Sequence, residues 1–156
     1  MTAVAELLDC LAAEAESVER FIGLLETEAA LLTDSDSPDD LLATIEAKQA
    51  EAARLEALGQ QRAALAVALG ESDGSHAAMQ RLARQHADIG EAWDELLDLA
   101  EHARRLNQRN GALIDTHLRH TQMSLDALRS VAGLGNVYDA SGRAQALNAG
   151  KTIATG

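Results

Sequence analysis

Two histidines in the second half of the chain are spaced in a way that could bind a metal ion. His117 and His120 are three residues apart, so they would share one face of a helix, and Asp115 lies beside them. A di-iron helical bundle requires Glu-x-x-His pairs on two helices, and the sequence contains no such pair. His86 falls within an apolar pattern and is interpreted as a packing residue. We therefore expect no metal site and no other cofactor.

A run of acidic residues is the other candidate for chemistry. Its members would line one side of a helix: Glu91, Asp94, Glu95, Asp98 and Glu101. Paired carboxylates can act as general acid and base in a concave, apolar site. A bundle built from Ala and Leu offers no obvious cleft, so a solvated face paired with Arg104 and Arg105 is the preferred interpretation. The sequence also lacks a phosphate-binding glycine loop, a nucleophile elbow and a Cys-x-x-Cys motif, and we expect no enzymatic activity.

The composition indicates which elements must position these side chains. The chain has 156 residues, enough for one domain with a core, and 47% of them are hydrophobic. Only three are aromatic, and there is a single proline, Pro38. Ala and Leu dominate the remainder, and both favour helices, whereas sheets favour β-branched and aromatic residues. An all-α fold is predicted.

The charge is distributed unevenly and limits the possible partners. The net charge is −12; residues 1–75 hold 16 acidic and 4 basic side chains, and residues 76–156 hold 9 of each. The acidic half would repel phosphate groups, so we expect neither nucleic acid binding nor association with an anionic membrane. The neutral second half, which contains arginines, is the better place to look for a binding surface.

The compartment is inferred from Cys10 and from the absence of targeting signals. A single cysteine cannot form an internal disulfide, which suits a reducing environment, and Cys10 is expected to be packed or partly exposed. The sequence shows neither a basic N-terminus followed by an apolar run nor a stretch of 18 apolar residues. A cytoplasmic location without membrane insertion is therefore expected.

Apolar periodicity predicts helices at about residues 3–33 and 38–69. The first has an unbroken heptad seam: Val4, Leu8, Leu11, Ala15, Val18, Ile22, Leu25, Ala29 and Leu32. The polar stretch 33–40 ends it, with Ser37 as N-cap and Pro38 as the first residue of the next helix. The second seam is rich in Ala, and the short connections favour antiparallel neighbours.

A third helix is predicted over 76–132, with a weak point at 107–111. Its apolar stripe begins at Met79 and reaches Asn107 and Asn110, then resumes at Ile114. Two consecutive spacings of four, from Asn110 to Ile114 and on to Leu118, form a stutter that unwinds a supercoil locally. Asn and Gly there lower helix stability by roughly 1–2 kcal/mol in sum. We expect a continuous but weakened helix, with a break at Gly111 as the alternative and a hinge in either case.

The lengths of the predicted helices indicate which apolar stripe has no partner helix within the chain. The predicted architecture is an elongated antiparallel three-helix bundle or coiled coil, covering residues 1–132, with a long third helix and a flexible C-terminal tail over 133–156. The third helix is nearly twice as long as the others, so its part at 112–132 has no partner helix within the chain. Such a stripe calls for self-association or for a helix from another protein.

Two short motifs resemble a known family. The first is Asn-x-x-Asn-Gly-x-Leu-Ile, formed by Asn107, Asn110, Gly111, Leu113 and Ile114, and the second is the stretch YDASGR at 138–143. Together with the length and the helical layout, they resemble the FlgN-type flagellar export chaperones. The motifs cover about 107–143, and the first two helices contribute pattern alone.

The resemblance implies a cytoplasmic chaperone without catalytic activity. Its partners would be the hook-associated proteins of the hook–filament junction, bound through their terminal amphipathic helices, and the cytoplasmic component of the flagellar export gate. Cargo binding would fall on Asn110, Gly111, Leu113, Ile114, Leu118, Thr121, Leu125 and Leu128. Docking to the exporter or to the cargo would fall on Tyr138, Asp139, Gly142 and Arg143. The alternative is a homodimeric coiled-coil structural or adaptor protein, which the heptad seam of residues 4–32 favours.

Overall fold

The chain is all-helical over the residues that the structure describes. The structure, a computed structural model, describes residues 2–34 and 37–132, except for the side chains of His117, Thr121, Ser124 and Ala132. Four helices and no strand are found there: α1 Ala3–Thr33, α2 Pro38–Ala68, α3 His76–Gln85 and α4 Ala87–Ala132. The prediction had three helices, because it treated residues 76–132 as one.

Helix α1 supplies much of the core. Thr2 caps it by accepting a 3.2 Å hydrogen bond from the Ala5 amide through its side chain. One face is buried at heptad spacing and includes Leu7, Leu11, Val18 and Leu25. The buried face also includes Glu14 and Glu28, which the predicted apolar seam does not contain. The face of α1 that is buried within the chain is therefore partly charged, whereas the predicted seam was entirely apolar.

Helix α2 runs antiparallel to α1 and ends in a glycine cap. Two ion pairs show this direction: Glu14 on α1 pairs with Arg62 on α2, whereas Glu28, later on α1, pairs with Lys48, earlier on α2. At the end of α2, Gly70 adopts a φ of 99°, a left-handed conformation that favours glycine. The amides of Gly70 and Glu71 donate to the carbonyls of Val67 and Ala66 at 3.0 and 3.1 Å, respectively. This pair of backbone hydrogen bonds is the Schellman motif, and it ends the helix.

The predicted long third helix is interrupted at His86. This residue has an extended backbone, with φ −132° and ψ 110°, and separates α3 from α4. The chain turns back there, since the His76 and Trp93 ring centres lie 5.6 Å apart. Gly90 approaches α3 so closely that a Cβ atom would lie 3.2 Å from the Ala83 carbonyl oxygen. Met79 and Leu82 from α3 and Ile89 from α4 all belong to the hydrophobic core.

The chain divides into two compact units, Met1–Leu113 and Ile114–Gly156. The boundary falls within α4. The predicted flexible tail, 133–156, lies outside the described residues. The first unit contains the hydrophobic core: Leu7, Leu11, Val18, Leu25, Ala66, Met79, Leu82, Ile89, Trp93, Leu96 and Ala103. The described part of the second unit is the C-terminal part of α4.

Candidate functional site

The part of α4 that belongs to the second unit exposes large apolar side chains. Among the described residues, eight large hydrophobic side chains are exposed, and six of them lie between Ile114 and Val131. The most exposed of those predicted to bind cargo are Leu118, at 60%, and Leu128, at 65%. Single exposed apolar residues are common on protein surfaces, but a concentration on one helix marks an interaction surface.

Four of these side chains form one row along the helix. They are Ile114, Leu118, Leu125 and Leu128, and all are exposed. At about 100° per residue, their spacing places them within an arc of roughly 80°. We call this set the α4 row. Thr121 occupies the intervening position in sequence. Met123, exposed at 70%, lies about 180° away from Ile114 on the same helix.

The flanks of the α4 row carry balanced charges. Residues 112–132 contain the acids Asp115 and Asp126 and the bases Arg119 and Arg129, so their formal charges cancel. Gln122 donates a 2.9 Å hydrogen bond to Asp126, and the Arg129 guanidinium lies 3.8 Å from the same carboxylate. A partner helix could therefore cover the row without bringing its own charges against a strong field of one sign.

Asn110, which was expected to bind cargo, is instead buried in the first unit. Its side chain is 1% exposed, and its Nδ2 donates to the Leu25 carbonyl oxygen at 2.7 Å and to Glu28 Oε1 at 2.9 Å. Gly111 is exposed and Leu113 is half-buried. Asn107 is exposed, although the sequence pattern placed it on the apolar stripe. The two motif asparagines therefore occupy different environments, and α4 is continuous through both.

Glu28 is the centre of a polar network that joins three helices. The Lys48 ammonium on α2 donates to both carboxylate oxygens of Glu28, at 3.0 and 2.9 Å. Asn110 on α4 donates to the same carboxylate, and Arg109 donates to the Asn110 Oδ1 at 3.3 Å. A buried carboxylate costs stability unless it is paired and hydrogen-bonded, and here it is both.

A second buried carboxylate, Glu14, lies two heptads earlier on α1. Arg62 Nε donates to Glu14 at 2.8 Å, and Cys10 Sγ lies 3.9 Å from the same oxygen. Burial of the thiol, reinforced by the negative charge of Glu14, raises the pKa of Cys10 to about 11. Cys10 is buried, in agreement with the prediction of a packed thiol, and a thiol with this pKa is protonated at neutral pH.

Ser17 and Glu51 form a third polar contact between α1 and α2. It lies between the Glu14–Arg62 and Glu28–Lys48 pairs, and we call these three contacts the polar layers. The buried Ser17 hydroxyl donates to the Glu51 carboxylate, and Arg20 Nε donates to it at 3.2 Å. The Ser17 hydrogen bond is the main reason that the pKa of Glu51 is lowered from its ordinary value, and Arg20 lowers it further. Together the three layers hold α1 against α2 by polar contacts as well as by apolar packing.

The buried polar contacts between α1 and α2 were not predicted, although the sequence contains a signal for two of them. Glu14 and Glu28 are 14 residues apart on α1, and Lys48 and Arg62 are likewise 14 apart on α2. Two acids on one helix and two bases on the next at equal spacing of two heptads can pair across an antiparallel interface. An apolar-periodicity search counts such residues as breaks in the pattern and so passes over them.

The other candidate residues behave differently. The acidic run on α4 is exposed, and Glu101 pairs with Arg104 at 2.6 Å and with Arg105 at 3.8 Å, which confirms the predicted solvated face. Within residues 2–34 and 37–132, the structure contains no group of three or more His, Cys, Asp or Glu side chains suited to a metal ion. Tyr138, Asp139, Gly142 and Arg143 lie outside the described residues.

One comparison with known proteins covers most of the chain. A family model described as "FlgN protein" matches residues 1–146, a range that includes the α4 row and the stretch 138–143. No curated protein and no solved structure matches the chain significantly. None of the helices within the described residues is both long enough and apolar enough to span a membrane.

Proposed function

The chain belongs to the FlgN family of flagellar export chaperones, and on that premise we propose that it binds hook-associated proteins through the α4 row. The cargo would be the terminal amphipathic helices of these proteins, which lie along Ile114, Leu118, Thr121, Leu125 and Leu128. Covering those helices would prevent premature assembly of the hook–filament junction. The protein acts in the cytoplasm, before its cargo is exported.

One observation carries the proposal, namely the exposure of the α4 row. Leu118, Leu125 and Leu128 are large apolar side chains on one face of a helix, and all are exposed. With Thr121 at the intervening position, the spacings from Ile114 to Leu128 alternate between four and three residues, which matches the seam of a helix pair. Asn110 is left out of the proposed contact surface because it is buried, whereas Gly111 and Leu113 remain candidates at its N-terminal edge.

The proposed mechanism includes release of the cargo at the export gate. The α4 row has three leucines and one isoleucine but no aromatic side chain or arginine, the residue types that dominate tight interfaces. Moderate affinity suits a chaperone that must surrender its cargo. We further propose that Tyr138, Asp139, Gly142 and Arg143, which the family match includes, dock the protein on the cytoplasmic component of the gate or contribute to cargo binding.

The rival function, a homodimeric coiled coil without export cargo, loses its main support. It rested on the heptad seam of residues 4–32. Several residues of that face, including Leu11, Val18 and Leu25, are buried within the chain. That seam is therefore used for folding, and the rival homodimer would have to form through the α4 row, which the test below measures.

The test compares matched charge substitutions on opposite sides of α4. Leu118→Asp and Leu125→Asp place a carboxylate in the row, and Met123→Asp places one about 180° from Ile114 on the same helix. Each full-length variant is co-expressed with the C-terminal segments of hook-associated proteins, and the mass of the complex is measured by light scattering. Circular dichroism melting serves as the folding control.

We expect a 1:1 complex for the wild-type chain and for Met123→Asp. The two row variants should give only the mass of the free chain when diluted to a concentration at which the wild-type complex persists, which corresponds to a loss of at least about tenfold in affinity. Their helicity and melting should be nearly unchanged. The proposal fails if Met123→Asp loses binding equally, if the row variants unfold the protein, or if the wild-type chain forms a homodimer that ignores the cargo.

A further inference from the structure

Asn110 is a polar residue in an otherwise apolar seam of α4. The preceding buried positions of that seam, at spacings of three, four or seven residues, are Ile89, Trp93, Leu96 and Ala103. Asn110 follows seven residues after Ala103 and is as deeply buried as Ile89. Asparagine has low helix propensity, so local helix preference does not explain its presence there.

The hydrogen bonds of the Asn110 amide are specific to one arrangement of the helices. Its Nδ2 donates to the Leu25 carbonyl oxygen and to Glu28 Oε1, while its Oδ1 accepts from Arg109. The two acceptors lie three residues apart on α1. A shift of α4 along α1, or an exchange of α1 for another helix, would leave a buried amide without partners. Such a group destabilises the arrangement that contains it.

The sequence shows what Asn110 separates. Four residues after it, the α4 row begins at Ile114. Asn107 is exposed, and the buried face of α4 runs from Ala103 through the half-buried Leu106 to position 110. With an apolar residue at 110, that face would continue without a polar interruption to Ile114 and Leu118. A long apolar series of this kind pairs readily with a second copy of itself.

We propose that Asn110 is a positioning residue that specifies a single arrangement of α4 on α1 and opposes pairing of α4 with a second copy of the chain. Its role is specificity more than stability. Glu28 and Lys48 provide the charged partner that makes the amide selective, because the two hydrogen bonds from Lys48 fix the position of the Glu28 carboxylate that Asn110 contacts. A buried polar residue at a seam position fixes register and oligomeric state in coiled coils by the same physics.

The experiment replaces Asn110 by a similar apolar side chain. Asn110→Leu leaves Glu28 paired with Lys48, so no buried charge is orphaned. Asn107→Leu is the matched control, since Asn107 is three residues earlier on the same helix and exposed. Light scattering over a hundredfold range of protein concentration gives the mass of each variant and of the wild-type chain, and urea denaturation gives its stability. No cargo is needed.

We expect Asn110→Leu to be at least as stable as the wild-type chain and to form larger species as concentration rises, while Asn107→Leu matches the wild-type mass. The proposal is overturned if Asn110→Leu keeps the wild-type mass at every concentration, or if Asn107→Leu associates equally. Should Asn110→Leu fail to fold, the triple variant Glu28→Leu, Lys48→Met, Asn110→Leu supplies a fully apolar layer. A triple variant with the wild-type mass also overturns the proposal.

Discussion

Arg62 contacts the carboxylate of Glu14 and the ring of Trp93 at the same time. Its Nε donates to Glu14 at 2.8 Å, and its guanidinium carbon lies 5.1 Å from the centre of the Trp93 ring. The side chain thus joins α1, α2 and α4 through one ion pair and one cation–π contact. Glu14 is buried, and Arg62 supplies its countercharge.

Arg62→Met should destabilise the protein by about 3 kcal/mol, because it leaves Glu14 buried without its countercharge. Methionine keeps an apolar stem against Trp93, so the loss reports mainly on the charge. The measurement is urea denaturation followed by circular dichroism. The double variant Glu14→Leu, Arg62→Met should regain most of the lost stability, and equal losses in the single and double variants would contradict this account.

Gly74→Ala and Gly111→Ala should change the stability in opposite directions. A Cβ at Gly74 would lie 2.3 Å from Ala63 Cβ and 2.4 Å from Ala63 Cα, so we expect a loss of about 1–3 kcal/mol. A Cβ at Gly111 meets nothing within 4 Å, so the gain in helix propensity should add up to about 1 kcal/mol. Thermal melting of both variants tests the pair, and a destabilised Gly111→Ala would show that this glycine is required for another reason.

Cys10 should resist alkylation in the folded protein. With its pKa raised from 9.0 to about 11, the thiolate fraction of Cys10 at pH 8 is roughly 90-fold below that of an unperturbed thiol. Mass spectrometry after iodoacetamide treatment, with and without urea, measures the difference. Stability should also fall as pH rises above about 8.5, because the unfolded thiol then loses its proton before the folded one. A Cys10→Ala variant should lack this alkaline component.

Ser17→Ala should weaken the protein at neutral pH and much less at acidic pH. The Ser17 hydroxyl lowers the pKa of Glu51, so its stabilising effect is present above the unfolded pKa of that carboxyl. The effect is lost as the pH falls through the lowered folded pKa. We expect a cost of about 1–3 kcal/mol at pH 7, as for a hydrogen bond to a charged group. Urea denaturation at pH 7 and pH 3 provides the comparison, and an equal cost at both would contradict the assignment.

The helices of the first half could be predicted because their ends carry local signals. Helix α2 begins at Pro38, after Ser37, and ends before a left-handed glycine. The break at His86 has no such signal, since neither glycine nor proline lies beside it and the histidine fits the helical spacing. Across the break α3 and α4 lie against each other, since the His76 and Trp93 ring centres are 5.6 Å apart and a Cβ atom at Gly90 would lie 3.2 Å from the Ala83 carbonyl oxygen. Tertiary contacts of this kind cannot be deduced from periodicity.

The α4 row could be predicted from residue types and spacing, because an apolar stripe is a property of one helix. The position of Asn110 could not, because its burial depends on Leu25 and Glu28, more than 80 residues away in sequence. A motif shared with a family indicates that a residue matters, and it does not indicate whether the residue faces a partner or the core. Here Asn110 faces the core, and the proposed binding surface begins beyond it.

The surroundings of Trp93 give the protein its own optical probe. It is the single tryptophan of the chain, it is 6% exposed, and its indole nitrogen has no hydrogen-bond partner within the part of the chain that the structure describes. The fluorescence emission of Trp93, excited at a wavelength that tyrosine does not absorb, should therefore be blue-shifted relative to that of an indole in water. His76 and Arg62 lie against the ring, so changes at the junction of α2, α3 and α4 alter the spectrum without any label. Stopped-flow fluorescence can therefore follow the wild-type chain directly. Cargo binding that leaves this junction undisturbed would not change the Trp93 fluorescence.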